Sequence, residues 1–186
     1  MKKSIEKVAV IGTGVIGAGW IIRFLFNQKK IYIYDPQKNQ RKFLLDEIKR
    51  VEPILTRIYK KKINLQKQLI FSTTIANAVK DADLIQENAP ENEKLKIKII
   101  SEISTYAKYN AIIASSSSGL LPTKIQSKCI NPKRFIIAHP FNPVYLLPLV
   151  ELVPGKQTDK KFINLANKFY TKIQMKTLIL KKELPG

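Results

Sequence analysis

"KVAVIGTGVIGAGWIIRFLFNQ", residues 7–28, decides the fold in one stretch. Residues 7–12 form a short apolar run closed by a glycine, which reads as a buried strand. Residues 15–28 reach helix length. Between the two stands G-T-G-V-I-G, with Gly12, Gly14 and Gly17 at the joint. A glycine at the first position permits a tight turn. At the second it lets the backbone approach a diphosphate, and at the third it lets helix and strand pack closely. The free N–H groups and the positive dipole end of the helix then favour the anion. Gly12, Gly14, Val15, Ile16 and Gly17 are therefore the candidate cofactor-binding residues of this loop.

The next apolar run, residues 31–35, ends in Asp35, 23 positions after Gly12. That lies close to the roughly 20-residue spacing of the acid that binds the ribose of a dinucleotide. A carboxylate there accepts hydrogen bonds from ribose hydroxyls and repels a 2′-phosphate. The expected cofactor is NAD rather than NADP.

Outward from this unit, strand-like and helical runs alternate. Residues 69–74, 81–89, 111–116, 134–139, 147–153 and 176–182 contain strand-like runs. Residues 39–61 read as a helix that can bend or break at Pro53, and 160–173 as another. Residues 92–108 are amphipathic at helical period, with Leu95, Ile99, Ile100, Ile103 and Ala107 on one stripe. Alternation of this kind predicts an α/β, Rossmann-like, doubly wound fold: a mostly parallel sheet with helices on both faces. Near-continuous apolar strands suit such a sheet. The 186 residues suit one domain.

Lys+Arg is 33 against Asp+Glu 14, a formal net charge of +19. The lysines are scattered, and no aromatic-interleaved or zinc-type spacing accompanies them, so the expectation is a solvated surface, no metal and no nucleic-acid partner. Cys129 stands alone, which excludes an intrachain disulfide and fits a cytoplasmic protein. The basic start lacks a signal-peptide cleavage pattern, and no apolar run reaches 18 residues, so neither export nor a membrane span is expected.

The one histidine, His139, follows the apolar run "RFIIAH" (134–139), and Glu151 stands twelve positions later inside "LPLVELV" (147–153). Imidazole suits removal of a hydroxyl proton near neutral pH. An acid in an apolar strand is costly to bury unpaired, and pairing with His139 would both resolve that cost and orient the ring. "ASSSSGLLP" (114–122) offers a third polar group at a strand end, and spacing alone leaves the choice among its four serines open.

These residues carry a resemblance. "GTGVIGAGW", "DLIQENAPENEKLK", "SSSSGLLP" and "HPFNPVYLLPLVELV" resemble the NAD-binding domain of the 3-hydroxyacyl-CoA dehydrogenase superfamily, from the glycine loop to the chain end. The resemblance implies an NAD-dependent oxidoreductase acting on the 3-hydroxyl of a 3-hydroxy acid. It assigns the catalytic histidine of H-x-x-N-P to His139, its acid to Glu151 and the family serine to Ser118. It also implies cofactor contacts at Asn142, Glu91, Lys96 and Ser118. The wording is most similar to the L-carnitine 3-dehydrogenase branch. Fatty-acyl enzymes usually carry Phe after the histidine, where this chain has Pro140, and a gulonate-type sugar-acid branch shares H-P-x-N-P. For a trimethylammonium substrate, Phe141 and Tyr145 are candidate aromatic contacts. The family continues, after a P-G pair matched here by Pro185-Gly186, into a helical domain absent from these 186 residues. That domain supplies an asparagine and most of a homodimer interface. The expectation is that residues 1–186 are an NAD-binding domain and catalytically incomplete alone.

Overall fold

A computed structural model describes residues 5–183; the Pro185-Gly186 pair lies outside them. In chain order the elements are β1 (Lys7–Ile11), α1 (Val15–Phe26), β2 (Lys30–Tyr34), α2 (Gln40–Tyr59), α3 (Leu65–Gln68), β3 (Leu69–Phe71), α4 (Ile75–Val79), β4 (Leu84–Glu87), α5 (Glu93–Tyr106) and β5 (Ile112–Ser115). They continue with α6 (Pro122–Ile125), two single 3₁₀ turns, β6 (Phe135–Pro140), β7 (Leu149–Pro154), α7 (Lys160–Lys172) and β8 (Lys176–Ile179).

The strands form one sheet in the order β3-β2-β1-β4-β5-β6-β7-β8. All pairs are parallel except β6 with β7, which is antiparallel. Side chains alternate across the sheet. Val8 and Val10 enter the core with Trp20, Phe24, Leu44, Ile48, Phe169 and Tyr170, from α1, α2 and α7. Ala9 and Ile11 enter the opposite core with Ile75, Val79, Ile100, Ile103 and Ile125, from α4, α5 and α6. The predicted doubly wound fold is present. No helix among the described residues is long and apolar enough to cross a membrane.

Local differences have physical causes. The strand expected over 69–74 stops at Phe71, because Thr74 caps α4: its side chain accepts from the Asn77 N–H at 3.1 Å. Helix α2 runs on through Pro53, which sits on the exposed face, where water can satisfy the carbonyl that a proline leaves free. Asn92 caps α5 by accepting from the Leu95 N–H at 2.9 Å.

Candidate active site

The strand order reverses between β1 and β4, and in open α/β sheets ligands bind in the crevice at the carboxyl ends of such strands. The glycine loop follows β1 there. Gly12 has φ +88°, and a Cβ on it would lie 2.8 Å from the Asn88 carbonyl oxygen across the crevice. A Cβ on Gly17 would lie 2.0 Å from the Gly12 carbonyl oxygen. Gly14 differs: nothing lies within 4 Å of a Cβ built on it.

Gly14 is the N-cap of α1, whose first turn holds no acid. The first bond of that helix runs from Ala18 N–H to the Gly14 carbonyl at 2.8 Å, which leaves the N–H groups of Val15 and Ile16 open among the described residues. A cleft of about 770 Å³ spreads from this turn. Gly12, Gly14, Asp35, Ile75, Leu95 and Ile99 are among its lining residues. Asp35 is fixed at its wall, where Oδ2 accepts from Thr13 N–H at 2.7 Å and Thr13 Oγ1 at 3.0 Å, and Oδ1 from Gln37 N–H at 2.9 Å. An open helix N-terminus, a bare glycine facing the cleft and a carboxylate 22 residues beyond Thr13 fit a dinucleotide.

Beside it opens a smaller pocket of about 300 Å³, lined by Ile16, Asn88, Ala89, Glu91, Lys96, Ser116, Ser118, His139 and Pro140. The two spaces share Ile16, Asn88 and Ala89. His139 on β6 is the direct cross-strand partner of Glu151 on β7. Its Nδ1 lies 3.1 Å from Glu151 Oε2. The predicted pair is therefore made, and by the single antiparallel step in the sheet. Glu151 is not walled off, however. Its side chain is 29% exposed and that of His139 30%. The fully buried acid is Glu87 at the end of β4, and it has its own partners.

Those partners set the floor of the pocket. Lys96, 1% exposed, places Nζ 3.0 and 3.2 Å from the two Glu87 oxygens and 2.9 Å from the Ala89 carbonyl. Ser115 donates to the same carboxylate. Lys96 thus lines the pocket while its ammonium faces protein acceptors. Glu91 Oε2 is 3.6 Å away. Glu91 Oε1 takes the Ser117 hydroxyl and the N–H groups of Ser118 and Gly119, at 3.0 and 3.1 Å for the latter two. Desolvation raises the Glu91 pKa, but the Ser117 hydroxyl, the two backbone donors and Lys96 outweigh it and hold the carboxyl below its ordinary range.

The structure separates the four serines. Ser115 is spent on Glu87 and Ser117 on Glu91. Ser116 Oγ accepts from Trp20 Nε1 at 3.0 Å and Gln86 Nε2 at 2.9 Å and donates to Asn88 Oδ1 at 2.8 Å. Only the Ser118 hydroxyl has no hydrogen bond among the described residues, and Ser118 is exposed in the pocket that holds His139.

Asn142 is exposed on the turn after β6 and joins neither lining set. Phe141 is exposed beside the histidine, with ring centroids 5.8 Å apart. Tyr145 is half-buried, and its hydroxyl lies 3.3 Å from both Glu47 Oε1 and Arg50 Nη2, so Phe141 is the freer of the two aromatic candidates.

Sequence reasoning missed Thr13, which holds Asp35; the Glu87–Lys96 pair; and the chain from Tyr170 Oη to Gln86 Oε1 (2.6 Å) and on through Ser116 to Asn88. The stretch "DLIQENA" carried a signal, since Gln86 and Glu87 are polar residues inside an apolar strand.

Residues 7–184 match the family model described as "3-hydroxyacyl-CoA dehydrogenase, NAD binding domain". The chain belongs to this family. It therefore carries an NAD-binding domain. It is similar to a protein named L-carnitine dehydrogenase from Bacillus cereus, 47% identical over all of this chain and 57% of that protein. A second of that name, from Oceanobacillus iheyensis, is 45% identical over 97% of this chain and 59% of its own length. Among solved structures, (S)-3-hydroxybutyryl-CoA dehydrogenase from Ralstonia eutropha superposes with a TM-score of 0.87 at 26% identity, over 98% of this chain and 65% of the other. The chain thus spans less than two thirds of the length of each of these relatives.

Proposed function

We propose that the protein is an NAD-dependent dehydrogenase that oxidises the 3-hydroxyl of a 3-hydroxy acid, with L-carnitine as substrate and 3-dehydrocarnitine as product. The observation that carries the chemistry is the His139–Glu151 pair at the edge of the small pocket, 3.1 Å apart, with Ser118 lining the same space. With Nδ1–H donating to Glu151, the neutral ring keeps its lone pair on Nε2. His139 Nε2 takes the proton of the substrate hydroxyl. Glu151 stabilises the imidazolium that results and keeps the ring in one tautomer. The Ser118 hydroxyl donates to the substrate oxygen. When bound, NAD supplies the hydride acceptor. The Val15 and Ile16 N–H groups would hold its diphosphate and Asp35 its adenosine ribose; Glu91, Lys96 and Ser118, which line the small pocket, and Asn142 on the turn after β6 would be its further contacts.

The name shared by the relatives supports L-carnitine over an acyl-CoA or a sugar acid. The proposal covers the whole protein: a cytoplasmic homodimer in which a helical domain, outside these 186 residues, closes the substrate cleft and adds an asparagine. The test is to assay residues 1–186, alone and fused to a family helical domain, with L-carnitine, a 3-hydroxyacyl-CoA and L-gulonate. The fused protein is expected to prefer L-carnitine and the short chain to bind NAD with little turnover. Preference for the acyl-CoA moves the protein to the fatty-acid branch, and full activity of the short chain refutes the need for the helical domain.

A further inference from the structure

The turn after His139 rests on a buried cation. Arg23, in the last turn of α1, is 2% exposed and forms no ion pair among the described residues. Its Nε and Nη2 both donate to the Val144 carbonyl, at 3.1 and 2.9 Å, and Nη1 reaches the Gln174 carbonyl at 3.5 Å. Tyr59, whose ring centroid is 5.7 Å from the guanidinium carbon, donates its hydroxyl to the next carbonyl, Tyr145 O, at 3.2 Å. Two consecutive carbonyls of the turn are thus held by side chains of α1 and α2.

A cation buried against neutral acceptors is costly, and an apolar side chain would serve helix packing alone. The fit around Val144 is also built from below. Gly19 lies one turn before Arg23, and a Cβ there would stand 2.9 Å from both Cβ and Cγ2 of the fully buried Val144. The helix that carries Gly19 and Arg23 is the one whose first turn carries Val15 and Ile16.

We propose that Arg23 is a positioning residue: it fixes the turn 141–148 through the Val144 carbonyl, and so sets Phe141 beside His139. The inference rests on the proposed function for what the turn does. It rests on geometry alone for what Arg23 holds.

The test uses the 186-residue chain, whose single histidine gives one imidazole C2–H line by NMR. The nearby Phe141 ring should displace that line through its ring current. Arg23→Met and Arg23→Lys are expected to keep a cooperative melt and to change NAD affinity less than about threefold. Both should speed amide exchange at Leu146 and Leu147, which bond the Pro143 carbonyl at 2.9 and 2.8 Å, by about tenfold or more. Both should also move the His139 line toward its random-coil position. Gly19→Ala leaves Arg23 in place, crowds Val144 and should move the same line. Parental exchange rates and an unmoved line in folded Arg23 variants overturn the proposal. If neither Arg23 variant folds, Gly19→Ala decides, and an unmoved line there overturns it. A parent chain that fails to bind NAD instead overturns the functional reading, while the exchange rates still judge Arg23.

Discussion

Alanine at Gly14 and alanine at Gly17 should fail in opposite ways. The Gly17 methyl would sit 2.0 Å from the Gly12 carbonyl oxygen and 2.9 Å from its carbon, and backbone cannot rotate aside. Overpacking of that kind costs about 3 kcal/mol or more. In a chain of this length that lowers Tm by roughly 6–12 °C. Gly14 has φ −60°, ordinary for alanine, and open space around its Cβ. Its loss of N-cap preference, about 0.5–1 kcal/mol, is offset by a similar gain from a less flexible unfolded chain. Its Tm should therefore stay within about 2–4 °C of the parent. The methyl would instead hold the diphosphate away from the helix N-terminus. Losing one charge-assisted hydrogen bond, about 1.5–3 kcal/mol, weakens NAD roughly ten- to 150-fold. Thermal melts by circular dichroism and NAD titration by calorimetry separate the two outcomes. A Gly14→Ala chain that binds NAD like the parent would refute the placement of the diphosphate. A Gly17→Ala chain with the parental Tm would refute the packing argument.

Three further outcomes are expected. Asp35→Ala should weaken NAD and narrow its advantage over NADP, and equal affinity of the parent for the two cofactors would sink the ribose assignment. In the chain fused to a family helical domain, His139→Ala or Glu151→Gln should lower turnover about 10²- to 10⁴-fold with NAD affinity nearly intact; a His139 variant that keeps more than a tenth of the rate ends the general-base reading. Glu91, held below its ordinary 4.5, contributes stability that is complete above that value and is lost as pH falls through its lowered folded pKa. Glu91→Gln should flatten the acid limb of a urea-midpoint series, and an unchanged limb would show that its donors do not discriminate between the two protonation states.

What could be read in the sequence follows from which signals are local. The strand–glycine–helix unit is contiguous, so Gly12, Gly17 and the fold were legible from spacing. His139 and Glu151 were legible as a pair because β6 and β7 are consecutive strands joined by one turn. The serines were not. Which of Ser115 to Ser118 is free depends on Glu87, Glu91, Trp20, Gln86 and Asn88, which arrive from other elements. The same holds for Arg23, whose acceptor is 121 residues away. The resemblance points to Ser118 by analogy, and Ser118 is the one of the four whose hydroxyl makes no hydrogen bond among the described residues.

The antiparallel step explains why the H-P-F-N-P turn carries so much fixed structure. A slip of one residue between β6 and β7 would send the Glu151 side chain to the opposite face of the sheet and leave His139 without its acid. Register there is held by β5 and β8 on the outer edges of the two strands and by the loop 141–148 that joins them. The ends of the loop are tied by the Phe141 N–H to the Leu149 carbonyl at 3.3 Å, and its middle by the Leu146 and Leu147 N–H groups on the Pro143 carbonyl. Gly19 and Arg23 then fix Val144 from beneath. Inserting one residue between Pro143 and Leu147 should break the Pro143 ties, loosen the loop and shift the single imidazole C2–H line of His139, while NAD affinity stays near the parental value; an unmoved line would refute the part given to the loop.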